Sequence, residues 1–508
     1  MERGIPGGAE RRLSAVRWAV EGRNSSPSTL DAAAPWLSVA LGLAVYQFVP
    51  GPLGVALGVV AMLWSTGRWP AHALAVTVFL LPWYLHPREV AGLAFPPHEV
   101  VLALTTLGVS TRWLAGTLRG SSKSVPRSAH SPPPGGGISS VATGTSTLEP
   151  AERRGVPVAP FLGGKTSFDA PVSLFLVAAL LSLLVTEYLR LSLRELRTLV
   201  LEPVLFYYLL VATVRDLRDA RRLVVGLALG AVAASVLAIS QYLVDVNTVA
   251  VEGVRRAMGP YLSPNHLGLL LGRALPFAIA AFLAGHGIAV RWLSPVIGAG
   301  LAITFSVGAW LGTAAALVAM AATRGRRALL AVLAALAIAV ALATPLLQVE
   351  RVQARLDPTQ GTTWFRLKIW ESSLHMVRDH PILGIGMDNF LYRYLDRYML
   401  PEAADEPHIS HPHNLLLHFW LQLGVPGAVA AGWLLVAFVR HVLPVARGRA
   451  GPEARWLGLG ALGSMVDFVV HGLVDNSYFL PDMAMVFWLT LGLAEVLRRH
   501  VEPRSGLT

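Results

Sequence analysis

Residues 363–427 read TWFRLKIWESSLHMVRDHPILGIGMDNFLYRYLDRYMLPEAADEPHISHPHNLLLHFWLQLGVPG, from Thr363 to Gly427. This is the longest polar-containing interval in the C-terminal two thirds of the chain, and apolar runs flank it on both sides. Tryptophans, arginines, histidines and acids stand together in it. Any chemistry the chain performs is expected here.

The flanks decide the fold class. The 508 residues are 54% hydrophobic and 14% charged, with mean hydropathy +0.54, whereas ordinary soluble domains carry roughly 25% charge. So apolar a chain could not cover a water-exposed surface. Repeated apolar runs near 20 residues match the bilayer core, which points to an all-α, polytopic transmembrane helical bundle. The net charge of +11 does not call for a nucleic acid, because the arginines gather in short loops between spans as the positive-inside rule expects. There is no cysteine, which excludes disulfides and thiolate metal sites. The N-terminus lacks a continuous apolar core of the cleavable-signal kind, so the first span is expected to act as the signal.

In chain order, residues 1–33 form a basic cytoplasmic N-terminus with Arg3, Arg11, Arg12, Arg17 and Arg23. N-terminal spans occupy 34–117. Residues 118–169 are rich in Ser, Pro and Gly without an apolar period and are expected to be a disordered cytoplasmic linker. Central spans fill 170–346, an extracytoplasmic catalytic loop of helical character follows at 347–412, and further spans fill 413–498 before a cytoplasmic tail at 499–508. About 12–14 spans result, with both termini inside. Basic loops such as Arg215–Arg222 and Thr323–Arg327 alternate with arginine-poor ones. Arg190, Arg194 and Arg197 break the alternation: they snorkel, lie on an interfacial helix, or mark a misplaced boundary.

Arg255 and Arg256 stand on the outer side, against the positive-inside bias, just before GPYLSPNHLG. Asn265 there can cap the following helix, whose positive N-terminal end favours an anion. A plain cap with interfacial arginines is the competing reading. In TTWFRLKIW, positions 364, 367, 370 and 374 share one helical face. Trp364 and Trp370 suit a membrane interface, and Arg366 and Lys368 can reach headgroups or a phosphate. Simple interfacial anchoring accounts for them equally. PILGIGMDNF, after a helix ending at His380, has glycines for a tight turn but lacks the lysine and strand of a P-loop, so nucleotide binding is rejected. His408, His411 and His413 lie near Asp405 and Glu406, but His-x-His at a helix start is not a recognised metal-ligand spacing, and no metal or other cofactor is expected. His413, beside the helix-opening Asn414, suits a general base. His418 lies in the span that follows. His471 and Asp475, four residues apart, form a second candidate cluster, or a helix-capping pair. Arginines suit a pyrophosphate and a histidine suits activation of a hydroxyl.

RLKIWESSLHMVRDHPILGIGMDNF followed by HPHNLLLHFWLQLGVPG resembles the signature of the O-antigen ligase and polymerase superfamily, and RRAMGPYLSPNHLG resembles its upstream arginine element. The resemblance covers Arg255 to Gly427. It implies a GT-C-like body and transfer of a glycan from undecaprenyl pyrophosphate to an acceptor hydroxyl, with inversion and without metal. The acceptor would be a glycan, a lipid or a protein, and the site would face outward from the bacterial cytoplasmic membrane. The resemblance places Arg256, with Arg255 as possible substitute, and Arg366 on the pyrophosphate, and His413 as base. Two positions depart from the family: Val307 stands where an arginine is common, and Gln422 where an acid is common. A transporter-like or non-catalytic assembly protein is the alternative. A transporter should carry an internal inverted repeat or charges in mid-span, and neither is evident.

Overall fold

The computed structural model describes residues 29–121, 165–347, 359, 361–404 and 407–501, except 252 and 288. The greater part of the expected linker, the first 28 residues, and Asp405 and Glu406 lie outside the described residues. The fold is an all-α polytopic bundle, with helices throughout the three blocks 34–117, 170–346 and 413–498 where spans were expected. The helices are α1 (Thr29–Phe48), α2 (Gly51–Arg68), α3 (Pro70–Leu80), α4 (Pro97–Ser121), α5 (Asp169–Ser182), α6 (Leu189–Thr213) and α7 (Leu217–Leu243). They continue with α8 (Pro264–Leu283), α9 (Leu293–Ala302), α10 (Val307–Arg324), α11 (Arg326–Leu347), α12 (Gly361–Asp379), α13 (Leu415–Ala446), α14 (Gly451–Gly472) and α15 (Pro481–Val501). Apolar runs become helices because hydrocarbon offers no partner for backbone amides, and only intrahelical bonds satisfy them. Five of these helices (α6, α7, α8, α10 and α13) are long and apolar enough to cross a membrane by length and composition. Two short antiparallel hairpins, β1–β2 (Arg88–Val90, Leu93–Phe95) and β3–β4 (Thr248–Val251, Val254–Ala257), join helices.

The core is organised around α14, which packs on α8, α10, α13 and α15. Close approach needs small residues, since helices in lipid are held by packing. A Cβ at Gly272 would lie 2.6 Å from Asp467 Oδ1, and one at Gly312 would lie 2.4 Å from it. Mid-bundle charge is present after all. Arg273 of α8 and Asp467 of α14 are both buried. Each falls within an otherwise apolar run, which hides it from a hydropathy reading. Arg273 is used as a tie. Its guanidinium donates to Ser477 Oγ (2.6 Å), to the Ser477 carbonyl and to the Met483 carbonyl (3.1 Å), clamping the α14–α15 connection.

The stretch from residue 381 to 389 is docked rather than loose. α13 is broken at Gly424 (φ 67°, ψ −168°), where Pro426 also removes an amide donor. The backbone groups freed by the break pair with the 381–386 turn. The Val425 amide donates to the Ile382 carbonyl (2.9 Å), and the Ile385 amide donates to Leu421 (2.7 Å). The Trp420 indole donates to the Pro381 carbonyl (2.8 Å). Farther along, buried Asn389 donates to Thr186 Oγ1 (2.7 Å) and accepts from the Glu187 amide (3.1 Å), tying the interval to the α5–α6 turn. Two of the three arginines that broke the loop pattern are paired here: Arg194 with Asp388 at 2.7 Å, and Arg197 with Glu99 at 2.8 Å and with Glu202.

Candidate functional site

The site grows from the start of α13. Asn414 caps this helix, accepting from the Leu416 and Leu417 amides at 3.0 and 3.1 Å, and so satisfies donors that have no intrahelical partner. Its own amide donates to the Leu473 carbonyl at 3.0 Å, which pins the α13 start to the end of α14. The preceding residue, His413, adopts a left-handed backbone (φ 49°). Its Nδ1 lies 3.2 Å from Asp475 Oδ1. Asp475 Oδ1 also accepts from the Asn476 amide at 2.8 Å, and Oδ2 lies 3.8 Å from Arg366 Nη2 on α12. His411 completes the group, its Nε2 3.9 Å from Asp475 Oδ1 and its ring 4.2 Å from that of His413.

Burial works to raise the Asp475 carboxyl, but the histidine hydrogen bonds and the Arg366 charge hold it well below the usual carboxylate range. Burial, together with the positive character of His411 and Arg366, pushes His413 down to about 4 against the opposing pull of Asp475. At neutral pH the pair is therefore an ionised carboxylate and a neutral imidazole. A carboxylate only accepts, so Nδ1 carries the proton and Nε2 is left with a free lone pair. An oriented imidazole of this tautomer can take a proton from a hydroxyl.

The upstream arginines form a second cluster. Successive strand residues face opposite sides, so Arg255 and Arg256 of β4 diverge. Arg255 pairs with Asp245 at 3.0 Å and stacks over Tyr242. Arg256 is buried. It donates from Nε to the Thr304 carbonyl (2.7 Å) and from Nη2 to Asn265 Oδ1 (2.6 Å). Asn265 is thus not the cap of α8. Ser263 is, accepting from the Asn265 amide at 3.2 Å, which frees the Asn265 side chain for Arg256.

His471 and Asp475 do not share a helical face, because α14 ends at Gly472 and Asp475 sits in the turn beyond it. That turn carries Asp475 to His413. His471 stays in the bundle against Gly308, whose added Cβ would lie 2.6 Å from the His471 ring. Trp370 has a buried indole N–H with no partner among the described residues. Gln422, at the position where an acid was expected, has a structural task. Its Oε1 accepts from the Asp388 amide (2.9 Å), and its Nε2 faces His418 Nε2 at 3.0 Å.

One feature escaped sequence reasoning. His266 meets Asp482 at 2.9 Å, and Tyr261 donates to the same carboxylate at 2.8 Å. His266 follows Asn265, and Asp482 opens α15. Asp475, in the connection between α14 and α15, thus meets His413, and Asp482, in the first turn of α15, meets His266, the residue after Asn265. His413, Asp475 and Arg366 come together directly. Arg256 and Asn265 form a separate pair, and Arg255 turns to its own partners.

These observations define a polytopic helical membrane protein with an arginine- and histidine-bearing site at one end of its bundle. Residues 292–432 match the family model described as O-Antigen ligase. An O-antigen ligase of Pseudomonas aeruginosa is 25% identical over 302 residues, which is 55% of this chain and 65% of that protein. The chain thus spans just under two thirds of the length of this curated relative. Both comparisons support the O-antigen ligase and polymerase superfamily as the one the chain resembles. The family match includes Arg366, His411 and His413, while Arg256 and Asp475 lie outside it.

Proposed function

We propose that this protein is a membrane glycosyltransferase of the O-antigen ligase type. It transfers a glycan from undecaprenyl pyrophosphate to an acceptor hydroxyl at the outer face of the bacterial cytoplasmic membrane. The observation that carries this reading is the His413–Asp475–Arg366 cluster beyond the helix ends, with a neutral imidazole and an adjacent guanidinium. The acceptor oxygen attacks the anomeric carbon as the bond from that carbon to the pyrophosphate oxygen breaks, which inverts the configuration. The hydroxyl proton passes to His413 Nε2, and Asp475 stabilises the imidazolium that forms. Charge on the departing lipid pyrophosphate is met by Arg366 and Arg256, whose planar forks match phosphate oxygens. This assignment gives arginines the electrostatic work and requires no metal. The outer location is supported by the basic loops expected inside.

The test is transfer in vitro with purified full-length protein, lipid-linked glycan donor and chelator. Extension of glycan from donor alone identifies a polymerase, and product only with added acceptor identifies a ligase. His413→Ala is expected to lower the rate by about 100-fold or more while leaving thermal stability nearly unchanged. Normal transfer by that variant removes His413 as the base.

A further inference from the structure

The geometry points to an inhibitory divalent-cation site, of the zinc type, formed by His411, His413 and Asp475. The ligand atoms of these three residues all lie within 4.8 Å of one another. The separations of 3.2 Å from His413 Nδ1 to Asp475 Oδ1 and 3.9 Å from His411 Nε2 to the same oxygen bracket the ligand–ligand spacing of about 3.3 Å that follows from tetrahedral zinc bonds near 2.0–2.1 Å. Two imidazoles and one carboxylate are a donor set zinc takes readily, and a fourth position would stay open to water or substrate.

Two further features favour a metal here over a chance meeting of polar groups. Ser410 Oγ lies 2.9 Å from His411 Nδ1, the ring nitrogen turned away from Asp475. With the Ser410 hydroxyl accepting from Nδ1–H, the Nε2 lone pair faces a cation, the outer-shell arrangement usual for metal-binding histidines. With the hydroxyl donating, Nε2–H faces Asp475 instead, so cation binding selects the first tautomer. Asp475 is held from outside the group as well, by its own neighbour's amide, and Arg366 faces Oδ2 while both histidines face Oδ1. The cation side and the guanidinium side of the carboxylate are therefore distinct.

The consequence for transfer rests on the reading of His413 as base. A cation bound at Nδ1 takes that lone pair, and the proton of the neutral ring must then sit on Nε2. The nitrogen that would accept the hydroxyl proton is thereby blocked, and Asp475 is withdrawn from its orienting role. Zinc thus inhibits, and its removal restores activity.

Two readouts separate this site from the transfer reading. Zinc chloride is titrated by calorimetry into tag-free full-length protein in detergent, for the wild type and for His411→Ala. One equivalent is expected to bind the wild type, and His411→Ala is expected to weaken binding by at least the roughly 10–100-fold that loss of an outer-shell partner alone costs. Ser410→Ala, which keeps all three ligands, is expected to weaken it less. Absence of binding, or equal binding to wild type and His411→Ala, overturns the site. In the transfer assay, zinc is expected to inhibit the wild type reversibly with chelator. His411→Ala, measured against its own zinc-free rate, should resist zinc at least tenfold better than the wild type does. Stimulation by zinc overturns the inhibitory role. Binding with the expected variant pattern but no transfer under any condition keeps the site and removes the transferase reading.

Discussion

His413 is defined by what its two nitrogens face. Asp475 holds Nδ1–H and leaves Nε2 open, so Asp475→Asn offers an amide that can donate to Nδ1 and move the proton to Nε2. That variant is expected to lose about 100-fold or more in initial transfer rate while still binding donor lipid. Loss of donor binding instead would mean that Asp475 acts on the donor by positioning Arg366. The pH profile follows from the same pair. With His413 pushed down to about 4, transfer should be flat from neutral pH downward and fall only as the pH passes through that value. Stability has the opposite origin but the same direction. The unfolded chain protonates this histidine near about 6.5, so between there and about 4 it binds more protons than the folded chain, and stability declines on acidification. Asp475, held below its ordinary range, adds stability that is present above that range and is lost as the pH falls beneath it. Thermal unfolding between pH 7 and 4 measures the sum.

At the level of elements, the break in α13 is what seats the 381–386 turn. Gly424 and Gly384 both have positive φ, and each faces a carbonyl. A Cβ at Gly424 would lie 2.2 Å from the Ile382 oxygen, and one at Gly384 would lie 2.3 Å from the Leu421 oxygen. Gly424→Ala is expected to cost at least about 1–2 kcal/mol from the left-handed backbone alone, and to raise proteolysis within 380–410. Gly432, one helical stretch on, has nothing within 4 Å of an added Cβ. Gly432→Ala should therefore be neutral or stabilise by up to about 1 kcal/mol. Equal effects of the two substitutions in a thermal-shift assay would refute the docking role of the break.

Across the whole molecule, Arg273 ties α8 to the connection that carries Asp475 and to the first turn of α15, which carries Asp482. Arg273→Leu strips donors from the Ser477 and Met483 carbonyls, and each buried acceptor left unsatisfied costs about 1–3 kcal/mol. Stability and transfer should fall together in this variant. That distinguishes it from His413→Ala, where transfer falls and stability holds. An Arg273→Leu protein with wild-type melting and wild-type rate would show that the two clusters do not depend on this tie.

The all-helical bundle was legible in the sequence because hydrocarbon leaves an apolar backbone only one way to satisfy itself. The break in α13 falls at Gly424-Val425-Pro426-Gly427, and glycine and proline are the residues that mark such breaks locally. Within the site, His413 and Arg366 stood out as polar residues in one interval between apolar flanks. Their partner could not be assigned that way. Asp475 reads as a neighbour of His471 at helical spacing, and only the end of α14 at Gly472 sends it to His413 instead. Arg255 and Arg256 are equivalent as letters, and strand alternation alone separates their partners. The Arg273 tie and the His266–Asp482 pair join residues more than 200 positions apart. Sequence carries hydropathy and local turn chemistry. Which charged side chain meets which is decided by helix ends and packing, because an ion pair depends on a few ångströms that no local pattern encodes.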